Sequence, residues 1–98
     1  MRRLRVEWTR SALRDLEQAQ DYIAQDNPTA AREIAQRVAD AAKGLTDHPK
    51  LGRDGHVSGT RERPVDRTPY LIVYRIRGQV IEILRLWHGR QDWQAPPF

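Results

Sequence analysis

The 98-residue sequence has no cysteine, which removes disulfides, thiolate metal sites and a cysteine nucleophile together. A chain built this way suits a reducing cytosol, so a cytoplasmic location is expected. Long apolar runs are also missing. Nothing approaches the roughly 18 consecutive apolar residues of a membrane span, and Met1-Arg2-Arg3-Leu4-Arg5 leads into alternating residues rather than the apolar core of a signal peptide. No membrane partner is expected. Lysine is scarce: only Lys43 and Lys50 occur, against 15 arginines. Nor is there a nucleotide loop, because Gly52-Arg53-Asp54-Gly55 lacks both the lysine and the preceding strand that such a loop needs. His48 and His56 have no partner ligand at metal-binding spacing, so neither a metal nor a cofactor is expected.

What is present is positive charge of one kind. There are 17 Lys+Arg against 13 Asp+Glu, a formal net charge of +4. Residues 1–48 hold 8 basic and 8 acidic side chains, whereas residues 49–98 hold 9 and 5, so the whole excess lies in the second half. Arginine presents a planar fork of donors that fits phosphate or carboxylate bidentately. Ten alanines accompany the arginines, and a GC-rich genome would produce both, so composition leaves the meaning of the arginines open. The length is that of one domain, spanning residues 1–98.

Leu4, Val6 and Trp8 alternate with Arg3, Arg5 and Glu7, the period of a strand with one buried face. Thr9 or Ser11 can cap a helix in which Ala12, Leu13, Leu16, Ala19 and Ile23 recur at helical spacing, which predicts a helix over 11–25 with Asp15 and Glu17 near its positive end. Asn27 is suited to cap a second helix and Pro28 to open it. Ala31, Ile34, Ala35, Val38, Ala41, Ala42 and Leu45 form one stripe, whose alanines let the two helices approach as a hairpin. His48-Pro49 is expected to end this helix. Residues 50–58 read as a loop, Arg61 to Val65 as a strand with Pro64 at an edge or end, and Asp66 to Pro69 as a turn. Tyr70 to Arg77 and Val80 to Trp87 flank the glycine-first pair Gly78-Gln79 and predict a hairpin. The expected fold is α+β, in the order β-α-α-β-β-β, with a helical hairpin packed on a small, mainly antiparallel sheet.

Strand alternation assigns faces to the hairpin. Tyr70, Ile72, Tyr74, Ile76, Ile81 and Ile83 should meet the helices. Arg75, Arg77, Glu82 and His88 should share the open face, joined by Arg61 or Arg63 from the neighbouring strand. Several guanidinium groups and an imidazole could hold an RNA phosphate and pass a proton, cleaving RNA through its own 2′-hydroxyl. Equally, Arg75 with Glu82 and Arg61 with Glu62 could be plain cross-strand ion pairs worth roughly 0.2–1 kcal/mol each. Trp8 and Trp87 read as core residues. Trp93 and Phe98, in a proline-containing tail, read as groups for docking onto a partner or back onto the sheet.

Several strings together resemble one family. Ser58-Gly59-Thr60-Arg61-Glu62, Thr68-Pro69-Tyr70-Leu71-Ile72-Val73-Tyr74-Arg75-Ile76, Val80-Ile81-Glu82-Ile83-Leu84-Arg85 and Trp87-His88-Gly89-Arg90 look like the signature of the RelE/ParE toxin superfamily of bacterial type II toxin-antitoxin systems. Ala12-x-x-Asp15-Leu16 and Asn27-Pro28-x-x-Ala31 are similar to it as well. The resemblance implies a small growth-arresting toxin, of the kind linked to plasmid stabilization, neutralised by a cognate antitoxin that wraps around it. It also implies one of two activities. RelE-like members are endoribonucleases that cut mRNA on the ribosome, and Arg61, Arg75 and His88 are the positions that would carry over as catalytic. ParE-like members poison DNA gyrase, and contacts to target or partner would fall to Arg77, Arg90, Trp93 and Phe98. The tyrosine usual in the nuclease branch is replaced here by Gln91, Asp92 and Trp93, and Lys50 and Arg53 stand where that branch has a basic cluster. The Gly-Thr-Arg-Glu string and the His-Gly-Arg-Gln-Asp-Trp ending resemble the ParE branch, which is the expected one. A small nucleic-acid-binding domain without toxicity is the remaining reading, and it lacks the aromatic stacking pair that sheet-based RNA binders use.

Overall fold

The computed structural model describes residues 4–89. Arg5–Trp8 forms β1, and Thr9 then turns the chain into α1, Arg10–Ala24, by accepting the Ala12 amide on its hydroxyl at 3.1 Å. The helix begins one residue earlier than the apolar spacing suggested, because Thr9 rather than Ser11 is the cap. Helix α2, Pro28–Gly44, opens in the same way, with Asn27 Oδ1 accepting from the Ala30 amide at 3.0 Å and proline in the first turn. It stops at Gly44, ahead of His48-Pro49. There the Leu45 amide reaches back to Ala42 O at 3.1 Å and the Thr46 hydroxyl to Lys43 O at 2.7 Å, so the last turn tightens before proline can act.

Four more strands follow: β2, Arg53–Asp54; β3, Arg61–Pro64; β4, Tyr70–Arg77; and β5, Val80–His88. The sheet order is β1-β5-β4-β3-β2, with β1 parallel to β5 and every other pair antiparallel. This is the expected α+β architecture, two helices on one face of a mixed sheet. Strand β2 departs from the loop predicted over 50–58. Its two residues pair Arg53 with Glu62 and Asp54 with Arg61, too short a stretch to leave a period in the sequence. Glycine at the β4–β5 turn is required by backbone shape, since Gly78 has φ +59.

Val6 and Trp8 from β1, Ile72 and Tyr74 from β4, and Ile81, Ile83 and Leu86 from β5 meet Ala12 of α1 and Val38, Ala42 and Leu45 beyond them in one core. Each large aliphatic side chain buried there stabilises the fold by about 1.5–3 kcal/mol. Alanines at the helix contacts supply little area themselves, but they let the helices sit close to the sheet.

One irregularity organises the rest. Tyr74 pairs with Ile83 but its neighbour Val73 pairs with Arg85, so Leu84 is an extra, unpaired residue in β5. Beyond it the alternation reverses. Leu86 pairs with Ile72 in the helix-side core, while Trp87 pairs with Leu71 on the opposite face. Helix α1 holds this bulge in place. The Thr9 amide donates to Ile83 O at 3.0 Å and its hydroxyl to Leu84 O at 3.1 Å. Asp15 Oδ2 accepts the Leu86 amide at 3.0 Å, and the same carboxylate takes Arg85 Nε at 2.7 Å and Nη2 at 3.0 Å. Those hydrogen bonds raise the pKa of Arg85, outweighing the opposite effect of its burial.

Asp15→Ala is expected to cost about 2–4 kcal/mol, because it strands a partly buried guanidinium and the Leu86 amide together. Chemical denaturation of the purified protein checks this; a loss under about 0.5 kcal/mol would show that the bulge holds without the carboxylate.

Candidate functional site

The face turned away from the helices is where chemistry could occur, and register decides what stands on it. Cross-strand partners share a face. Arg75 pairs with Glu82 and Glu82 with Glu7, so these three line one row of the open face. Arg75 Nε donates to Glu82 Oε1, Arg77 Nη1 lies 3.7 Å from Glu82 Oε2, and Arg5 Nε donates to Glu7 at 3.2 Å. The sequence expectation that Arg75, Arg77 and Glu82 share this face is met. A few residues further along β4 and β5, the row becomes apolar, with Leu71, Val73 and Trp87 in a second cluster and the Arg85 guanidinium 5.5 Å from the Trp87 ring.

His88 does not share this face, and this corrects the sequence reading. Without the Leu84 bulge, strict alternation would place it on the same face as Glu82. The bulge turns it to the helix side, where it pairs with Tyr70 and meets that ring edge-on at 5.6 Å between centroids. Arg61 and Arg63 are corrected too. They pair with Tyr74 and Ile72 and so belong to the helix side, whereas Glu62 between them takes the open face opposite Val73. The structure therefore does not bring Arg61, Arg75 and His88 together. Arg90, Trp93 and Phe98 lie outside the described residues.

Arg61 is used to fasten a loop. Its Nη1 donates to Gly52 O at 2.9 Å and lies 3.5 Å from Lys50 O. Beside it, the Tyr74 hydroxyl donates to Pro49 O at 2.7 Å and accepts the Gly52 amide at 2.9 Å. Burial raises the Tyr74 pKa, so the phenol stays protonated and keeps that donor. A Cβ at position 52 would come within 2.7 Å of the Tyr74 ring, so glycine is what allows this close approach.

Glu62 is the feature that sequence reasoning missed. It reads as a possible partner of Arg61, yet its side chain is 1% exposed and fixes the segment leading into β3. Its Oε2 accepts the His56 amide at 2.8 Å and lies 2.7 Å from His56 Nδ1, while Arg53 Nη2 approaches Oε1 at 3.4 Å. Burial works against the charged carboxylate, but hydrogen bonds from the His56 backbone and ring, with the charges of His56 and Arg53, outweigh it and hold the pKa below the usual range. A clue was available in the sequence: an acidic residue alternating with two arginines on a strand must face the other way from both. Above this carboxylate, residues 55–60 fold tightly, with the Gly55 amide on Thr60 O at 2.8 Å and the Thr60 hydroxyl on Val57 O at 2.6 Å. An open pocket of about 380 Å³ lies between this loop, the start of α1 and the β5 bulge, with Arg75 in its wall. Among the described residues no cluster of three His, Cys, Asp or Glu side chains could hold a metal ion, and no helix is long and apolar enough to cross a membrane.

Residues 6–93 match the family described as the ParE toxin of type II toxin-antitoxin systems, parDE. The chain is 41% identical over 93 residues to protein Y4kP of Sinorhizobium fredii, covering 95% of this chain and 96% of that one. It is 37% identical over 84 residues to Toxin RelE2 of Caulobacter vibrioides, covering 86% and 93%. In three dimensions it is similar to a chain of the chromosomal ParDE toxin-antitoxin system of P. aeruginosa, with a TM-score of 0.78 and 30% identity over 87% of this chain and 95% of that one. A chain of the RelBE2 toxin-antitoxin complex of Mycobacterium tuberculosis gives a TM-score of 0.63 and 26% identity, covering 89% and 99%.

The depressed Glu62 pKa fixes the sign of a pH effect. Its stabilising contribution is present above the unfolded carboxyl value and is lost as pH falls through the lower folded value. Glu62→Gln is therefore expected to be less stable than the parent at pH 7, by about 1.5–3 kcal/mol, with the gap closing below about pH 4. Denaturant titrations of both proteins from pH 7 to pH 3 read this; a gap independent of pH would refute it.

Proposed function

Since the chain belongs to the ParE toxin family of type II toxin-antitoxin systems, we propose that it acts in the cytoplasm as a poison of DNA gyrase and is neutralised by a cognate antitoxin protein. The reading is of a binding protein, not an enzyme. The observation that carries it is the division of the would-be catalytic set: Arg75 stands on the open face against Glu82, while Arg61 is tied to the loop carbonyls and His88 packs on Tyr70 on the other side. A general acid or base must reach the same reacting group as the residues that hold its phosphate. The P. aeruginosa and M. tuberculosis relatives were solved as toxin-antitoxin systems, which supports an antitoxin partner here. Arg77, exposed beside the β4–β5 turn, together with Arg90, Trp93 and Phe98, is proposed to contact the target or that partner.

A second reading has its own support, because two Caulobacter relatives are named RelE toxins. In it the protein is a ribosome-dependent mRNA endoribonuclease, and Arg61, Arg75 and His88 would converge only when bound to the ribosome.

Purified toxin added to gyrase and relaxed plasmid is expected to stop supercoiling and accumulate linear plasmid. Arg77→Ala should require about tenfold more toxin, a loss of ~1.4 kcal/mol in binding. Normal supercoiling at a large molar excess would overturn the gyrase reading. Primer extension on mRNA from arrested cells separates the second reading: cuts within codons that vanish in Arg75→Ala would establish it.

A further inference from the structure

The pocket beside Arg75 has donors in its wall that the fold leaves unengaged. Glu82 engages Arg75 only through Nε, which fixes the guanidinium plane. The two terminal nitrogens of Arg75, the Ser11 hydroxyl and the Ser58 hydroxyl have no hydrogen-bond partner among the described residues, and all three side chains line the same pocket of about 380 Å³. Its remaining walls include the aliphatic side chains of Val57 and Leu84, and Leu84 is the bulge residue that pairs with nothing on β4. An apolar cavity with a few convergent donors on its rim takes a ligand with an apolar body and one anionic end.

We propose that this pocket binds a partner protein through an aliphatic side chain next to a carboxylate, the aliphatic group lying against Val57 and Leu84 and the carboxylate bridging Arg75 to Ser11 and Ser58. Planar guanidinium and carboxylate groups match in two parallel hydrogen bonds, and Glu82 holds the arginine ready for them. The lining favours a single anionic group among apolar atoms over nucleic acid. Among the described residues Arg75 is the one charged side chain in the pocket wall, so a polyphosphate backbone would gain one charged contact there for its run of charges. A single carboxylate on an otherwise apolar contact matches that lining. The proposal concerns binding at this pocket and holds whichever target the toxin has.

The test uses the full chain and small probes, followed by amide chemical shifts. Acetyl-Leu-Asp-amide is expected to shift the amides of Ser11, Ser58 and Gly59 with a Kd on the order of 1 mM. Acetyl-Leu-Asn-amide should bind at least fivefold more weakly. Arg75→Gln should weaken binding of the aspartyl peptide about tenfold, and Ser58→Ala, an exposed loop change that leaves the fold alone, about threefold; Arg32→Gln on α2 should change nothing. Absence of shifts at these amides overturns the proposal, as does unchanged affinity in both Arg75→Gln and Ser58→Ala. Equal or tighter binding of inorganic phosphate or of a thymidine tetranucleotide also overturns it, by assigning the pocket to phosphate.

Discussion

A single extra residue in β5 determines what each face of this sheet can do. Leu84 breaks the two-residue period, and every side chain after it changes sides. Left alone, such a bulge would cost a ladder hydrogen bond and free a strand edge. Helix α1 removes both costs. Thr9 caps its own helix and bonds the bulge carbonyl with one hydroxyl, and Asp15, within the next turns, closes the edge amide of Leu86 while pairing with Arg85. The first helix and the last strand are thus joined by polar contacts between residues about 70 positions apart, and the apolar core fills in around that joint.

The consequences for chemistry follow from parity. Before the bulge, the open face holds two neighbouring carboxylates, Glu82 paired with Arg75 and Glu7 with Arg5. After it, the same side of the sheet holds the buried cluster of Leu71, Val73 and Trp87, and His88 stands against Tyr70 on the other side. An enzyme needs its groups preorganised around one point. The binding role proposed above needs patches of different character within reach of one partner, and this side of the sheet offers a charged row and a lined pocket.

Much of this was legible in the sequence. Thr9 and Asn27 announced both caps, the alanine stripe announced the helical hairpin, and the strands around Gly78-Gln79 announced the sheet, because local capping, period and turn chemistry agree with the final fold at those places. The site was less legible for a specific reason. No glycine or proline marks the bulge, and its irregularity is imposed by Thr9 and Asp15, far away in sequence. An alternation rule applied through it assigns Leu86, Trp87 and His88 to the wrong faces. Glu62 was hidden by the opposite problem, since a carboxylate between two arginines looks solvated until the loop containing His56 closes over it.

The same long-range pairing changes what the arginine excess means. Along the chain, the positive charge belongs entirely to residues 49–98. In space it is redistributed, because Asp15 from the balanced half neutralises Arg85 from the basic half, and Glu7 of β1 stands next to Glu82 of β5. Arg53 is drawn to Glu62, and Arg61 spends its donors on loop carbonyls. Each of these cations is thus committed to a partner inside the protein. Binding to nucleic acid grows with the number of phosphates contacted together, and a cation held by an internal partner must give that partner up before it adds to the number. A single carboxylate needs only one guanidinium fork, which adds directional specificity to a contact held mainly by burial.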